Sequence, residues 1–280
     1  MRKLVFVDID GTLMGSDQTI PESAVAACRG ARRNGHLLYI CTGRPFKDIF
    51  GEVKAVGFDG IVSASGARID IGDKTVSRFF MHTEIVARIG AYMEAREEAF
   101  LFELSDGTVK SRYVENFLEE VRLALAGKAS KKETESFVKF FKFFSANAHY
   151  VREDFYHEDV QKIVFMGSRV SLADMVETFG GECEICGGSI PFFGTHGGEI
   201  SPSGVHKGAA LETVASHHGI PLGDTIAVGD SDNDRRMLEC AGIGIAMGNA
   251  EESLKAIADY TTSSLKDGGL AQAFRHCGLI

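Results

Sequence analysis

The chain has 280 residues, longer than a usual single domain, so a two-domain arrangement is favoured. Hydrophobic residues make up 44% and charged residues 25%, and no apolar stretch approaches the ~20 residues of a membrane span, so no membrane helix is expected. Lys and Arg number 30 against 39 Asp and Glu, a net charge of −9 that argues against nucleic acid and for a small-molecule partner.

The opening MRKLVFVDIDG has too short an apolar run for a secretion signal. Cysteines at 28, 41, 183, 186, 240 and 277 are dispersed, so reduced thiols and a cytoplasmic location are expected. Cys183 and Cys186 form one C-x-x-C, which without a second pair or a clustered histidine is more often incidental than a zinc or redox site.

Residues 4–7, LVFV, read as a strand covered on both faces in a parallel sheet. Gly11 breaks the run, so Asp8 and Asp10 emerge at the carboxyl edge, where open α/β sheets bind ligands. Two carboxylates there suit hydrolytic phosphoryl transfer. Asp8 can attack phosphorus, and Asp10 can protonate the leaving alcohol, then deprotonate the water that cleaves the aspartyl phosphate. An isolated D-x-D is also a common turn or cap, so other parts of the chain must support this reading.

Downstream, a helix opens at Pro21-Glu22 and stops at Asn34-Gly35, and Leu37–Cys41 is the next strand, ending in Thr42-Gly43-Arg44-Pro45. A helix over 46–56, a strand over 61–64 and a hairpin over 67–79 projecting from the sheet come next. From residue 83 the composition changes: a helix to 96, a strand pair about 105–107, a helix over 114–126, a basic linker at 128–132, a strand over 162–166, a helix over 172–179 and a strand-rich return over 182–193. Phenylalanines at 137, 140, 141 and 144 have the spacing of one helical face. After residue 204, β-α alternation resumes, with helices over 205–218, 232–240 and 251–258 and strands over 225–228 and 243–246. The expected fold is α/β: a Rossmann-like parallel-sheet core from residues 1–82 and 192–280, with an α+β domain inserted over 83–191.

Three further places fit one phosphate and one metal. The Thr42 hydroxyl and Gly43 amide are donors at a strand-end turn, and Lys207 opens a helix where its ammonium can neutralise a transferring group. Residues 229–234, GDSDND, follow a strand with acidic oxygens suited to magnesium. Singly, each also reads as a turn, a solvated helix start or a cap. A calcium loop fails, because Arg235 stands where glycine is needed and Ala241 where the bidentate glutamate is needed. No G-x-x-x-x-G-K-[ST] loop occurs, which leaves kinase or ATPase function without support.

Together DIDGT, the threonine of CTGRP, Lys207 and GDSDND resemble the four signatures of the haloacid dehalogenase superfamily. GEISPSGVHKGAAL, IAVGDSDNDRRMLECAGIGIAMGNA and SLKDGGLAQAF resemble its Cof-type branch, which carries a type IIB cap between the second and third signatures. The resemblance covers nearly the whole chain and is strongest over 3–66 and 198–276. It implies a Mg²⁺-dependent phosphatase of small phosphorylated metabolites, such as a sugar phosphate or phosphorylated cofactor, acting through an aspartyl phosphate. Carried over by motif, Asp8 is the nucleophile and Asp10 the general acid and base. Asp8, the Asp10 main-chain carbonyl and Asp230 hold the metal, with Asp234 supporting it, and the Ile9 amide, Thr42, Gly43, Lys207 and Asn233 hold phosphate. Ser65-Gly66-Ala67 departs from the Asn-Gly-Ala common in relatives. A phosphomutase, or a catalytically idle phosphate-ligand binding protein, are the competing readings.

Overall fold

The computed structural model describes residues 2–49, 51–125, 148–167, 169–188 and 197–280. The basic stretch at 128–132 and the phenylalanine face at 137–144 lie outside them. In chain order the described elements are β1 (Leu4–Val7), α1 (Glu22–Arg33), β2 (Leu37–Cys41), α2 (Gly51–Val56), β3 (Gly60–Ser63), β4 (Arg68–Ile71) and β5 (Lys74–Arg78). Next come α3 (Thr83–Glu94), β6 (Ala99–Leu104), β7 (Thr108–Lys110), α4 (Val114–Leu125), β8 (His149–Tyr150), β9 (Val160–Met166), α5 (Leu172–Phe179), β10 (Cys183–Gly187) and β11 (Gly197–Pro202). The chain ends with α6 (Lys207–His218), β12 (Thr225–Gly229), α7 (Arg235–Cys240), β13 (Ile243–Ala246), α8 (Glu252–Lys255), β14 (Tyr260–Thr261) and α9 (Gly269–His276).

These elements make two compact units, one from Met1–Arg78 with Gly204–Ile280, the other from Phe79–Ser203. In the first, the described strands form one sheet in the order β14-β13-β12-β1-β2-β3-β4-β5. β1 lies between β2 and β12, parallel to both, with Val7 beside Ile40 on one side and Val228 on the other. The chain leaves β1 in one direction and returns on its other side, so Asp8 stands at the switch point where such sheets bind ligands.

Both faces of β1 are covered, which explains its uninterrupted apolar sequence. Val5 and Val7 pack with Leu38, Ile40 and Ile226 beneath α1 and α9, whereas Leu4 and Phe6 pack with Tyr39, Cys41 and Ala227 beneath α6 and α7. Phe6 is wholly buried, a burial that contributes roughly 1.5–3 kcal/mol.

In the second unit the described strands run β10-β11-β9-β6-β7-β8. Phe100, Phe102, Ile163, Phe165 and Ile200 share one cluster with Val86, Ile89 and Met93 of α3 and Met175 and Phe179 of α5. Ala99, Leu101 and Met166 pack with Val114, Phe117, Leu118 and Val121 of α4. No described helix is long and apolar enough to cross a membrane.

Several local expectations need correction. The span 46–56 is a 3-10 turn over Phe46–Asp48, an extended Ile49 and then the short α2, because the turn ends where Ile49 buries its side chain. The hairpin over 67–79 does not project. β4 pairs antiparallel with β3 and β5 with β4, so both extend the core sheet. The helix expected over 251–258 keeps four residues, Glu252–Lys255, and the one expected over 232–240 starts with a 3-10 turn, Asp232–Asp234. β14 and α9 have no counterpart in the sequence reading.

Candidate active site

At the carboxyl end of β1 the chain turns sharply. The Ile9 carbonyl accepts the amides of Thr12, Leu13 and Met14, and Gly11 takes φ +84. A Cβ at Gly11 would run into the Asp230 carboxylate, so glycine lets this turn lie against the loop after β12. Gly229 does the same for Asp234, whose carboxylate fills the space a side chain would need.

Lys207, the first residue of α6, is 1% exposed and reaches three acceptors: Asp8 Oδ1 at 2.8 Å, Asp234 Oδ1 at 2.7 Å and Asn233 Oδ1 at 3.2 Å. All three ammonium hydrogens are thereby engaged, and the Asn233 bond is the longest of the set. The His206 ring caps this helix, its Nδ1 accepting the Ala209 amide at 3.1 Å. Burial alone would favour neutral Lys207, but Asp234 and Asp8 more than offset it and hold the ammonium well above its ordinary pKa.

Asp234 Oδ2 accepts the amides of Asp230 and Ser231 at 2.9 and 3.1 Å, so both its oxygens are occupied. Asp230 is oriented from outside the 229–234 loop. Thr12 Oγ1 donates to its Oδ1 at 3.0 Å, and Asn249 Nδ2 donates to its Oδ2 at 3.3 Å and to the Gly11 carbonyl at 3.0 Å. Asp8 is 4% exposed, and among the described residues its Oδ2 accepts no hydrogen bond. Burial, opposed by Lys207 and reinforced by Asp234 and Asp10, pushes Asp8 up to about 7. Burial and the charges of Asp8 and Asp234 raise Asp230 well above the usual carboxylate range.

The sequence-derived residues divide by their partners. Asp8, Lys207, Asn233 and Asp234 share one hydrogen-bonded cluster, and Asp8, Asp230 and Asp234 each offer an oxygen within 4.8 Å of the others. Thr42 is 1% exposed at the end of β2, and its Oγ1 accepts the Arg44 amide at 3.1 Å, which leaves its own hydrogen to donate. Gly43 follows it in the same turn. The Ile9 amide donates to no acceptor among the described residues, whereas the Ile9 side chain is core. Asp10 faces another partner. Arg44 Nε donates to its Oδ2 at 2.7 Å and Nη2 to its Oδ1 at 2.5 Å.

Sequence reasoning missed Arg44, Thr12 and Asn249. All three lie inside motifs it quoted, CTGRP, DIDGT and MGNA, as polar residues beside a glycine just past a strand end. That adjacency was the available signal.

An all-oxygen donor set suits a hard cation such as Mg²⁺. Asp8 and Asp230 are the pair that could hold such an ion, since among the described residues Asp8 Oδ2 is unengaged while Asp234 is committed to Lys207 and two amides. Asp8 and Asp230, both raised by burial with the neighbouring carboxylates adding to it, fit a site that takes up positive charge.

Buried carboxylates around a buried ammonium, at the switch point of a parallel sheet, place the chain among α/β enzymes that handle anionic substrates. The haloacid dehalogenase-like hydrolase family matches residues 5–274. Phosphatase YwpJ of Bacillus subtilis is 28% identical over 98% of this chain and 99% of its own length. The 5-amino-6-(5-phospho-D-ribitylamino)uracil phosphatase YitU of the same organism is 28% identical over 96% and 95%. Among solved structures, the subclass IIB sugar phosphatase BT4131 superposes with a TM-score of 0.80 at 25% identity, covering 99% of this chain and 100% of that one. This chain therefore belongs to the haloacid dehalogenase-like hydrolases. Within them it is a Cof-type phosphatase, a phosphoric monoester hydrolase.

Proposed function

We propose that the protein is a Mg²⁺-dependent phosphatase of a small phosphorylated metabolite, a sugar phosphate or phosphorylated cofactor precursor, in the cytoplasm. The observation that carries this reading is Asp8 itself: one oxygen is pinned by Lys207 at 2.8 Å and the other is left unengaged at the sheet edge. Such a carboxylate is held for in-line attack on phosphorus, forming an aspartyl phosphate as the alcohol departs. Asp10 would give the alcohol its proton and later take one from the attacking water. Lys207 would exchange its longest bond, to Asn233, for a phosphate oxygen, and the Thr42 hydroxyl with the Ile9 and Gly43 amides would hold the others. Mg²⁺, held by Asp8, the Asp10 carbonyl and Asp230, would supply charge to offset the repulsion between carboxylate and phosphate.

Related proteins support the substrate class. YitU is named for a phosphorylated ribityl compound and BT4131 for sugar phosphates, so a phosphate on a polyhydroxylated carbon chain is the shared chemistry. The second unit, Phe79–Ser203, has its own sheet and its own core and is proposed as the part that discriminates among metabolites. Free thiols at all six cysteines suit a reducing compartment.

The test is phosphate release by the purified protein from a panel of sugar and polyol phosphates, with and without Mg²⁺. Metal-dependent release of inorganic phosphate supports a phosphatase. Isomerised sugar phosphate without release would make it a mutase, and tight binding without turnover would make it a binding protein.

A further inference from the structure

The core sheet has a second polar edge. Where β1, β2 and β3 begin, at the end away from Asp8, an open cavity of about 500 Å³ is lined by Arg2, Arg29, Arg32, Arg33, His36 and Asp59 together with Gly35 and Val56. Four guanidiniums against one carboxylate give a local charge of 4 − 1 = +3, in a chain whose net charge is −9.

The lining arginines fall into two pairs. Arg29 donates to the carbonyls of Val56 and Ala55 at 3.4 and 3.0 Å. Arg32 grips Asp59 with both arms at 3.1 and 2.7 Å, and Asp59 in turn accepts the Leu38 amide at 2.8 Å. These two are fixed by the fold. Arg2 and Arg33 are exposed, and their guanidiniums make no hydrogen bond or ion pair among the described residues. His36 Nδ1 accepts the Lys3 amide at 3.1 Å, so the neutral ring carries its hydrogen on Nε2 and adds a donor to the cavity lining.

Basic residues at the C-terminal end of α1 also complement the helix dipole, which accounts for Arg32 and Arg33. It does not account for Arg2, which comes from a separate segment and faces the same cavity. A guanidinium fork matches phosphate oxygens bidentately, and the volume lies within the range of small-ligand sites. We propose that this cavity is a second, non-catalytic anion site that binds a small compound with two or more phosphate charges, bridged between Arg2 and Arg33 over the fixed pair Arg29 and Arg32. It lies outside the proposed catalytic machinery.

The test is calorimetric titration of the full-length, EDTA-treated protein with sodium tripolyphosphate. Wild type should bind, and the Arg2→Ser/Arg33→Ser double variant should lose affinity by about tenfold or more, the effect of removing charge-assisted contacts. Its turnover of a small aryl phosphate should be unchanged, which also shows that it is folded. Should the double variant misfold, Arg33→Gln alone, at an exposed helix end, should weaken binding in the same direction. No binding by wild type, or equal affinity in the variants, overturns the proposal, the latter by placing the anion at the catalytic site.

Discussion

Arg44 holds Asp10 by both carboxylate oxygens. Its Nε and Nη2 bonds of 2.7 and 2.5 Å are made by a guanidinium only 5% exposed, which also donates to Gln18 Oε1 at 3.1 Å. The proposed acid and base is thus set at a fixed orientation by a residue that need not touch substrate. Arg44→Lys keeps the charge and loses the fork. For an alkyl phosphate, kcat/KM should fall about 10- to 100-fold, and far less for an aryl phosphate whose leaving group needs no proton. Steady-state kinetics on both esters check this; equal losses would mean that Arg44 does not act through Asp10.

Lys207 and Asp8 should separate stability from chemistry. Lys207→Met leaves Asp8 and Asp234 buried without their cation, and should destabilise the fold by about 3–5 kcal/mol. Asp8→Asn removes one of the crowded carboxylates, so it should fold about as stably as wild type while turnover drops below roughly a hundredth. Urea denaturation beside a phosphate-release assay separates the two.

Asp230 and Asp234 differ in what their oxygens already do. Asp230→Asn should raise the Mg²⁺ concentration for half-activation by at least about tenfold, with little loss of stability. Asp234→Asn puts an amide nitrogen against Lys207 or two backbone amides, and should cost about 2–4 kcal/mol of stability. If Asp234→Asn were stable and altered only the metal requirement, its proposed role beside Lys207 would fail.

How far the sequence carried depended on how local each signal was. LVFV and LLYIC could be read because strands buried on both faces need no alternation; Asp8 and Asp230 stood out because they directly follow such strands, and Lys207 because it opens a helix. Arg44 could not be weighted, since its role depends on meeting Asp10 across the gap between two strand ends. Nor could α9, whose first residue is a glycine following Gly268 at φ +78, a start usually read as a stop. The 46–56 helix was overread because apolar spacing is blind to the extended backbone at Ile49.

Glu98 supplies a pH dependence outside the site. It is fully buried, its Oε2 accepts the amides of Arg169 and Val170 at 3.0 Å each, and burial pushes it from 4.5 up to about 7. Between those values the folded state holds a proton that the unfolded chain has released, so this term lowers stability as pH rises through the window, and its full cost is present above 7. Glu98→Gln removes the term. Its stability advantage over wild type should grow from pH 5 to pH 8, to on the order of 2 kcal/mol, in paired denaturation curves. A constant difference would show that Glu98 does not titrate in this range.

The pairing of Leu4 with Thr225 also governs how the protein is made. A ribosome adds about 5–20 residues per second, so β1, the strand that leads into Asp8, waits on the order of 10–40 s for its neighbour β12 to be synthesised. During that interval one apolar edge of LVFV stays open to mispairing with other nascent chains. The inserted unit, encoded wholly within the interval, can close its own core first. Slow translation past residue 203, or lack of a chaperone to shield that edge, should therefore lower the yield of native enzyme without altering its finished stability.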